Sequence, residues 1–174
     1  MNMQIELISA SELADESFNI VIDGLKPREI YRVEMFLSDY YCINAPMLLA
    51  HDVLWKSTAT FVSDTNGIIN ISQTPSCSGS YEGISTMGLF FNAKPLTNKR
   101  KKLPNSLSKI PLLDHFFVGI KIMQGNTVIA ERTFTRHYMS SQISHQDIYG
   151  KHFQGRLFYD KKAIKTPSID YCER

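Results

Sequence analysis

Period-two alternation of apolar and polar side chains constrains this chain more than any other feature. Across residues 30–38, Tyr31, Val33, Met35 and Leu37 fall on one face, and Arg32 and Glu34 fall on the other. Successive side chains of a strand point to opposite faces, so this is the pattern of a half-buried β-strand. Residues 18–22 form a shorter run of the same kind, separated from it by Asp23-Gly24-Leu25-Lys26-Pro27, where Gly and Pro supply a turn. Residues 55–62 are rich in Thr and aromatics and stop at Asp64-Thr65-Asn66-Gly67. Asn-Gly ahead of residues 68–71 predicts a hairpin, because both residues accept positive φ at low cost.

A second hairpin is predicted from residues 115–123, the turn Gly125-Asn126, and a return strand over 127–138. In that return strand Val128, Ala130, Phe134 and Tyr138 share a face, with Arg132 and Arg136 interleaved, while Ile129, Glu131, Thr133, Thr135 and His137 share the other. A last strand is predicted over 153–159. Residues 9–16 are predicted to make one short helical turn, with Ser9 and Glu12 spaced like a capping box. Residues 96–109, which include Asn98-Lys99-Arg100-Lys101-Lys102 and Pro104, read as a mobile connecting loop. No long segment repeats at helical spacing. Strands punctuated by turns, without intervening helices, predict an antiparallel β-sandwich.

The length of 174 residues suits one domain with a core that needs no disulfide or metal staple. With 43% hydrophobic and 21% charged residues, a disordered or fibrous chain is excluded. A net charge of +2 gives no general attraction to nucleic acid or anionic membrane. No apolar run approaches the roughly 18 residues of a membrane helix. The start lacks a basic stretch followed by a long apolar one, so no secretory signal is expected. Cys42, Cys77 and Cys172 are an odd set with wide spacing and no C-x-x-C pair. They read as reduced thiols of a cytoplasmic protein.

The chemistry-bearing residues form no catalytic constellation. Gly79-Ser80-Tyr81-Glu82-Gly83 has the glycine spacing of a nucleophile elbow, but Tyr81 stands where Ser or Cys is required. It reads as a glycine-rich loop between strands. His145, Asp147 and His152 match no standard metal-ligand spacing, and neither a metal nor a cofactor is expected. Cys42 and His51 could serve as nucleophile and base, yet no orienting carboxylate accompanies them. Lys99-Arg100-Lys101-Lys102 could grip phosphates but reads as a solvated loop. Arg132, Phe134, Arg136 and Tyr138 could stack bases, but an alternating strand produces that series routinely, and no nucleic-acid partner is expected.

The order of the motifs carries more. Asp23-Gly24-Leu25-x-Pro27 leads into an alternating strand, then Trp55 to Asp64 with Asn66-Gly67. Gly79-Ser80-Tyr81-x-Gly83-x-x-x-Met87-Gly88-Leu89 follows. Next come Glu131-Arg132 to Arg136-His137-Tyr138-Met139, and lastly Gly155-Arg156-Leu157-Phe158. This series resembles the amino-terminal domain of the acyl-CoA thioester hydrolase and bile acid-CoA:amino acid N-acyltransferase family. The resemblance spans roughly residues 5–159, and the block from Gly79 to Leu89 is its most specific part.

The resemblance implies an immunoglobulin-like antiparallel β-sandwich over residues 1–159. Residues 160–174 then form a short tail, placed where the family's α/β-hydrolase domain would begin. That domain carries the Ser or Cys nucleophile, Asp and His, and it cleaves or transfers the acyl group of an acyl-CoA. No catalytic residue is carried over to this chain, which is expected to be inactive alone. Its expected role is regulatory and packing, against a hydrolase domain in cis or in trans. Tyr81, Met87, Arg132, Arg136 and His137 are the expected interdomain or ligand surface, if one exists. Packing alone is the favoured account of them, with Tyr81 and Met87 filling core and the arginines lining a solvated face. The competing reading is a free-standing interaction module that has lost the hydrolase, self-associating through exposed sheet edges. A small esterase built on Cys42 or a serine is a third.

Overall fold

A computed structural model describes residues 3–44, 47, 49–50, 52–97, 114–151 and 154–163. The chain divides into two compact units, residues 1–138 and 139–174.

In the first unit the strands are β1 (Gln4–Ser9), β2 (Phe18–Asp23), β3 (Ile30–Ser38), β4 (Trp55–Val62), β5 (Ile69–Asn70), β6 (Ser78–Gly79), β7 (Lys94–Pro95), β8 (His115–Gln124) and β9 (Thr127–His137). Two single-turn helices, α1 (Tyr41–Asn44) and α2 (Gly88–Phe91), lie between strands. One sheet has the order β1-β2-β5; the other runs β6-β4-β3-β8-β9, with β7 also on β4. All of these named strand pairs are antiparallel.

The two sheets share one core, as the alternation predicts. Ile5, Ile20, Ile22 and Ile69 come from the smaller sheet. Tyr31, Val33, Met35, Leu37, Ala59, Phe61, Val118, Ile120 and Ile122 come from the larger. Burying each large apolar side chain contributes about 1.5–3 kcal/mol, which is why the period-two face of β3 turns inward. The opposite face of the larger sheet carries charge: Glu34 meets Arg32 at 3.2 Å and Lys56 at 2.9 Å.

The structure departs from the sequence reading at three places in this unit. The Asn66-Gly67 turn does not close a hairpin. β5 leaves β4 and pairs with β2, so the turn carries the chain from one sheet to the other. Gly67 (φ +79°) packs against the backbone at Leu25, where a Cβ would lie 2.0 Å from the carbonyl oxygen, and its own carbonyl accepts from the Leu25 N–H at 3.0 Å. Asp64 Oδ1 accepts from the N–H groups of Asn66 and Ile68, both at 2.8 Å, which fixes the turn without strand pairing.

Residues 9–16 form no helix. Ser9 ends β1, and the following backbone turns its carbonyls toward Arg136, described below. Val128 leaves the face assigned to it and is 46% exposed. A β-bulge between Ile122 and Met123 pairs Val128 with Met123 and Ala130 with Ile122, leaving Ile129 as the extra residue. A bulge of this kind reverses the inward and outward phase of everything beyond it.

The second unit contains β10 (Ile143–Tyr149) and β11 (Gln154–Asp160), an antiparallel pair, followed by a 3-10 turn (Lys161–Ala163). The predicted last strand is therefore β11, and its partner is β10. No helix among the described residues is long and apolar enough to cross a membrane.

Candidate functional site

Phe18, at the start of β2, is where two of the singled-out residues meet. Its backbone N–H donates to the Met87 sulfur at 3.3 Å, and the Arg136 guanidinium lies over its ring, 5.3 Å from the centroid. Phe90 of α2 packs edge-on against the same ring at 5.8 Å. Met87 is the residue just before α2, so the turn after Gly83 delivers it to the core margin.

Arg136 is 1% exposed, the largest fully buried side chain among the described residues. Its Nη1 donates to Ser9 Oγ and to the Ser11 carbonyl, each at 2.9 Å. Nη2 donates to the carbonyls of Leu13 and of Glu16, the latter at 2.6 Å. Burial lowers its pKa from the ordinary guanidinium value, while Glu12, Glu16 and Asp15 act in the opposite sense. The cation thus replaces a helix as the organiser of residues 9–16, drawing the carbonyls of Ser11, Leu13 and Glu16 onto one guanidinium. Arg132, exposed on β9, donates from Nη1 to the Ile5 carbonyl at 2.6 Å and lies over Phe134, 5.0 Å from the ring centroid. Both arginines therefore bind β9 to the N-terminal segment. They do not form a free row of cations.

Tyr81 sits apart from the arginines. Its ring lies flat against Gly88, where a Cβ would come within 2.5 Å of Cζ. Burial pushes its phenol up to about 12. Gly79 (φ +125°) presses on the Thr58 carbonyl, and Ser76 and Gly83 bridge in antiparallel fashion, so the glycine-rich stretch is a tight loop against β4. Tyr81 and Met87 pack against the core as partly buried residues.

His137 falls elsewhere again, and here the sequence reading missed two residues. His115 is the direct cross-strand partner of His137, their ring centroids 5.9 Å apart. The Asp114 carboxylate hydrogen-bonds His115 Nδ1, and that bond is the first cause of its lowered pKa. On the other side, His137 Nε2 is 3.9 Å from Glu12 Oε2. The main chain holds Glu12 there: the His137 N–H donates to the Glu12 carbonyl at 2.7 Å, and the Ala14 N–H to the His137 carbonyl at 2.7 Å. The signal was present in the hairpin, but counting back from Gly125-Asn126 without the bulge would set His115 opposite Arg136.

The other sequence candidates do not converge. Asp147 accepts from Arg156 Nε at 2.6 Å and Nη2 at 3.0 Å, across the β10–β11 pair, which lowers its pKa. His152, His51, the Cys42 side chain and residues 98–113, with the basic run, lie outside the described residues. Cys77 is a free, exposed thiol.

Fold and site together define an all-β, two-sheet domain whose conspicuous polar residues are engaged in holding its own chain. The family model of the acyl-CoA thioester hydrolase/BAAT N-terminal region matches residues 15–149, and the chain belongs to that family. Acyl-coenzyme A amino acid N-acyltransferase 2 of Mus musculus is 28% identical over 112 residues, covering 63% of this chain and 24% of the relative. Acyl-coenzyme A amino acid N-acyltransferase 1 of the same organism is 30% identical over 95 residues, 53% of this chain and 20% of the relative. Bile acid-CoA:amino acid N-acyltransferase of Mus musculus is 21% identical over 171 residues, 95% of this chain and 38% of the relative. The chain thus spans between a fifth and two-fifths of the length of these relatives.

Proposed function

We propose that this chain serves as a non-catalytic, packing domain for an enzyme that hydrolyses acyl-CoA thioesters or transfers their acyl group. It works in the cytoplasm against a hydrolase domain supplied in cis or in trans. The observation that carries this reading is the family match to an N-terminal region, running over most of the two-sheet unit. The relatives' names, acyl-CoA and bile acid-CoA amino acid N-acyltransferases, and the family's description as acyl-CoA thioester hydrolase/BAAT support the parent chemistry. The internal engagement of Arg136 supports a structural role for that cation. Arg132 and His137, both on β9 and neither fully buried, then belong to the margin at which the domain meets its neighbour.

The purified chain, incubated with acyl-CoAs of short, medium and long acyl length, is expected to release no free CoA above background. Turnover that disappears when a single Cys, Ser or His is replaced would overturn the reading. A second reading, a free-standing module that self-associates, is favoured by β9: it is eleven residues long and terminates its sheet. A concentration-dependent dimer disrupted by a proline in β9 would support that alternative.

A further inference from the structure

We propose that Asp114, His115 and His137 form a binding site for a divalent transition-metal ion of the zinc class, with Glu12 within reach as a fourth ligand. One potential ligand atom from each of the three residues lies within 4.8 Å of the others. The arrangement is built by the backbone. His115 and His137 are register partners on neighbouring antiparallel strands, so their side chains leave the same face of the sheet. Asp114 precedes β8 and already hydrogen-bonds His115 Nδ1, so the two groups face each other where a metal ion can replace the bonded proton. The Glu12 carbonyl accepts from the His137 N–H, which keeps Glu12 beside His137, and its exposed carboxylate stands 3.9 Å from Nε2.

The donor set selects the ion. Two imidazoles with one or two carboxylates suit zinc and its first-row neighbours, whereas magnesium and calcium favour all-oxygen shells. Tetrahedral zinc with bonds of about 2.1 Å sets its ligand atoms about 3.4 Å apart. Reaching that spacing requires a contraction of about 1.4 Å from the widest separation in the cluster. The side chains of Asp114, His115 and His137 are 73%, 33% and 39% exposed and have room to make it. A bound ion would link β8, β9 and residues 12–14. Arg136, the preceding residue on β9, grips the same segment from the opposite face.

The test uses the untagged full chain, freed of metal by chelation and titrated with zinc chloride by calorimetry and in thermal melts. Saturable one-to-one binding and a rise in melting temperature are expected with zinc and not with magnesium chloride. His115→Gln and His137→Gln should each weaken binding by about tenfold or more and abolish the rise. His145→Gln, in the second unit, should bind as the unmodified chain does. To keep the result independent of variant folding, imidazole NMR resonances of the unmodified chain are followed as zinc is added. Those of His115 and His137 should shift together. No binding, or binding left intact in both histidine variants, or shifts confined to other histidines, would each overturn the proposal.

Discussion

Replacing Arg136 with Met should be among the most damaging conservative-volume changes available to this domain. The side chain is 1% exposed and makes four hydrogen bonds, three of them to main-chain carbonyls, besides lying over the Phe18 ring. Hydrogen bonds to a charged group contribute about 1.5–3 kcal/mol each, which sets a ceiling of about 6–12 kcal/mol. The true cost is lower, because residues 9–16 can detach locally and let water reach the freed carbonyls. Each buried acceptor left unsatisfied costs about 1–3 kcal/mol, and with part of the segment opening to water we expect Arg136→Met to cost about 3–5 kcal/mol.

Urea denaturation followed by Trp55 fluorescence measures the loss directly. A melting experiment should show a drop of about 6–20 °C for a domain of this size. Arg136→Lys keeps the charge but loses the planar fork, so it should recover about half of the lost stability. Limited proteolysis should cut both variants faster within residues 10–17, before global unfolding. A loss under about 1 kcal/mol for Arg136→Met would refute the reasoning, since it would mean the carbonyls find equal partners in water. Equal stability of Arg136→Lys and the unmodified chain would refute the argument from fork geometry.

Two further substitutions test the glycine-rich loop. Gly79→Ala places a Cβ 2.3 Å from the Thr58 carbonyl at φ +125°, and it should cost about 2 kcal/mol or more by chemical denaturation. Tyr81→Phe should change stability at pH 7 by less than about 1 kcal/mol, because the phenol makes one long contact to the Ser85 carbonyl at 3.4 Å. Its effect should appear in alkali. A phenol raised from 10.0 to about 12 on folding contributes stability that is complete below pH 10 and lost as pH rises toward 12. Tyr81→Phe should therefore unfold less readily than the unmodified chain across that window, and identical alkaline profiles would count against a buried phenol.

The strands were legible because alternation is a local property. Tyr31, Val33, Met35 and Leu37 announce their burial within nine residues of sequence, and the structure places all four in the core. Pairing was less legible. Asn66-Gly67 marks a turn correctly, but whether the chain returns to its own sheet or crosses to the other depends on Leu25 and Ile20, dozens of residues away. The short helix expected over residues 9–16 failed for the same reason. Its local cues, Ser9 and Glu12, are outweighed by a guanidinium more than a hundred positions along the chain.

The candidate surface was legible in composition and not in grouping. Tyr81, Met87, Arg132, Arg136 and His137 were visible as a set, yet the structure sends them to different places. Met87 and Arg136 meet at Phe18, Arg132 reaches Ile5, Tyr81 covers Gly88, and His137 faces His115. Strand periodicity assigns a side chain to a face, but it cannot say whether a cation on that face meets solvent or carbonyls. A single bulge at Ile122/Met123 then decides which residue opposes His115.

The family match begins at residue 15, although the structure makes the preceding residues integral to the sandwich. Ile5 is 3% exposed in the core, β1 pairs with β2 from Gln4 to Ser9, and the carbonyls of Ile5, Ser11 and Leu13 accept from Arg132 or Arg136. Much of what residues 5–14 contribute is therefore main-chain hydrogen bonding. A carbonyl is the same group whatever side chain its residue carries, so such a segment can hold its place while its sequence drifts. The burden of identity falls instead on the donors. Arg132 and Arg136 lie inside the matched region, and their side chains cannot be exchanged for others without losing the fork that reaches those carbonyls. The same logic places β9 at the centre of the domain's architecture even though it terminates its sheet. Its cations and His137 tie down the N-terminal segment, which in turn covers part of an edge that would otherwise be open to another strand.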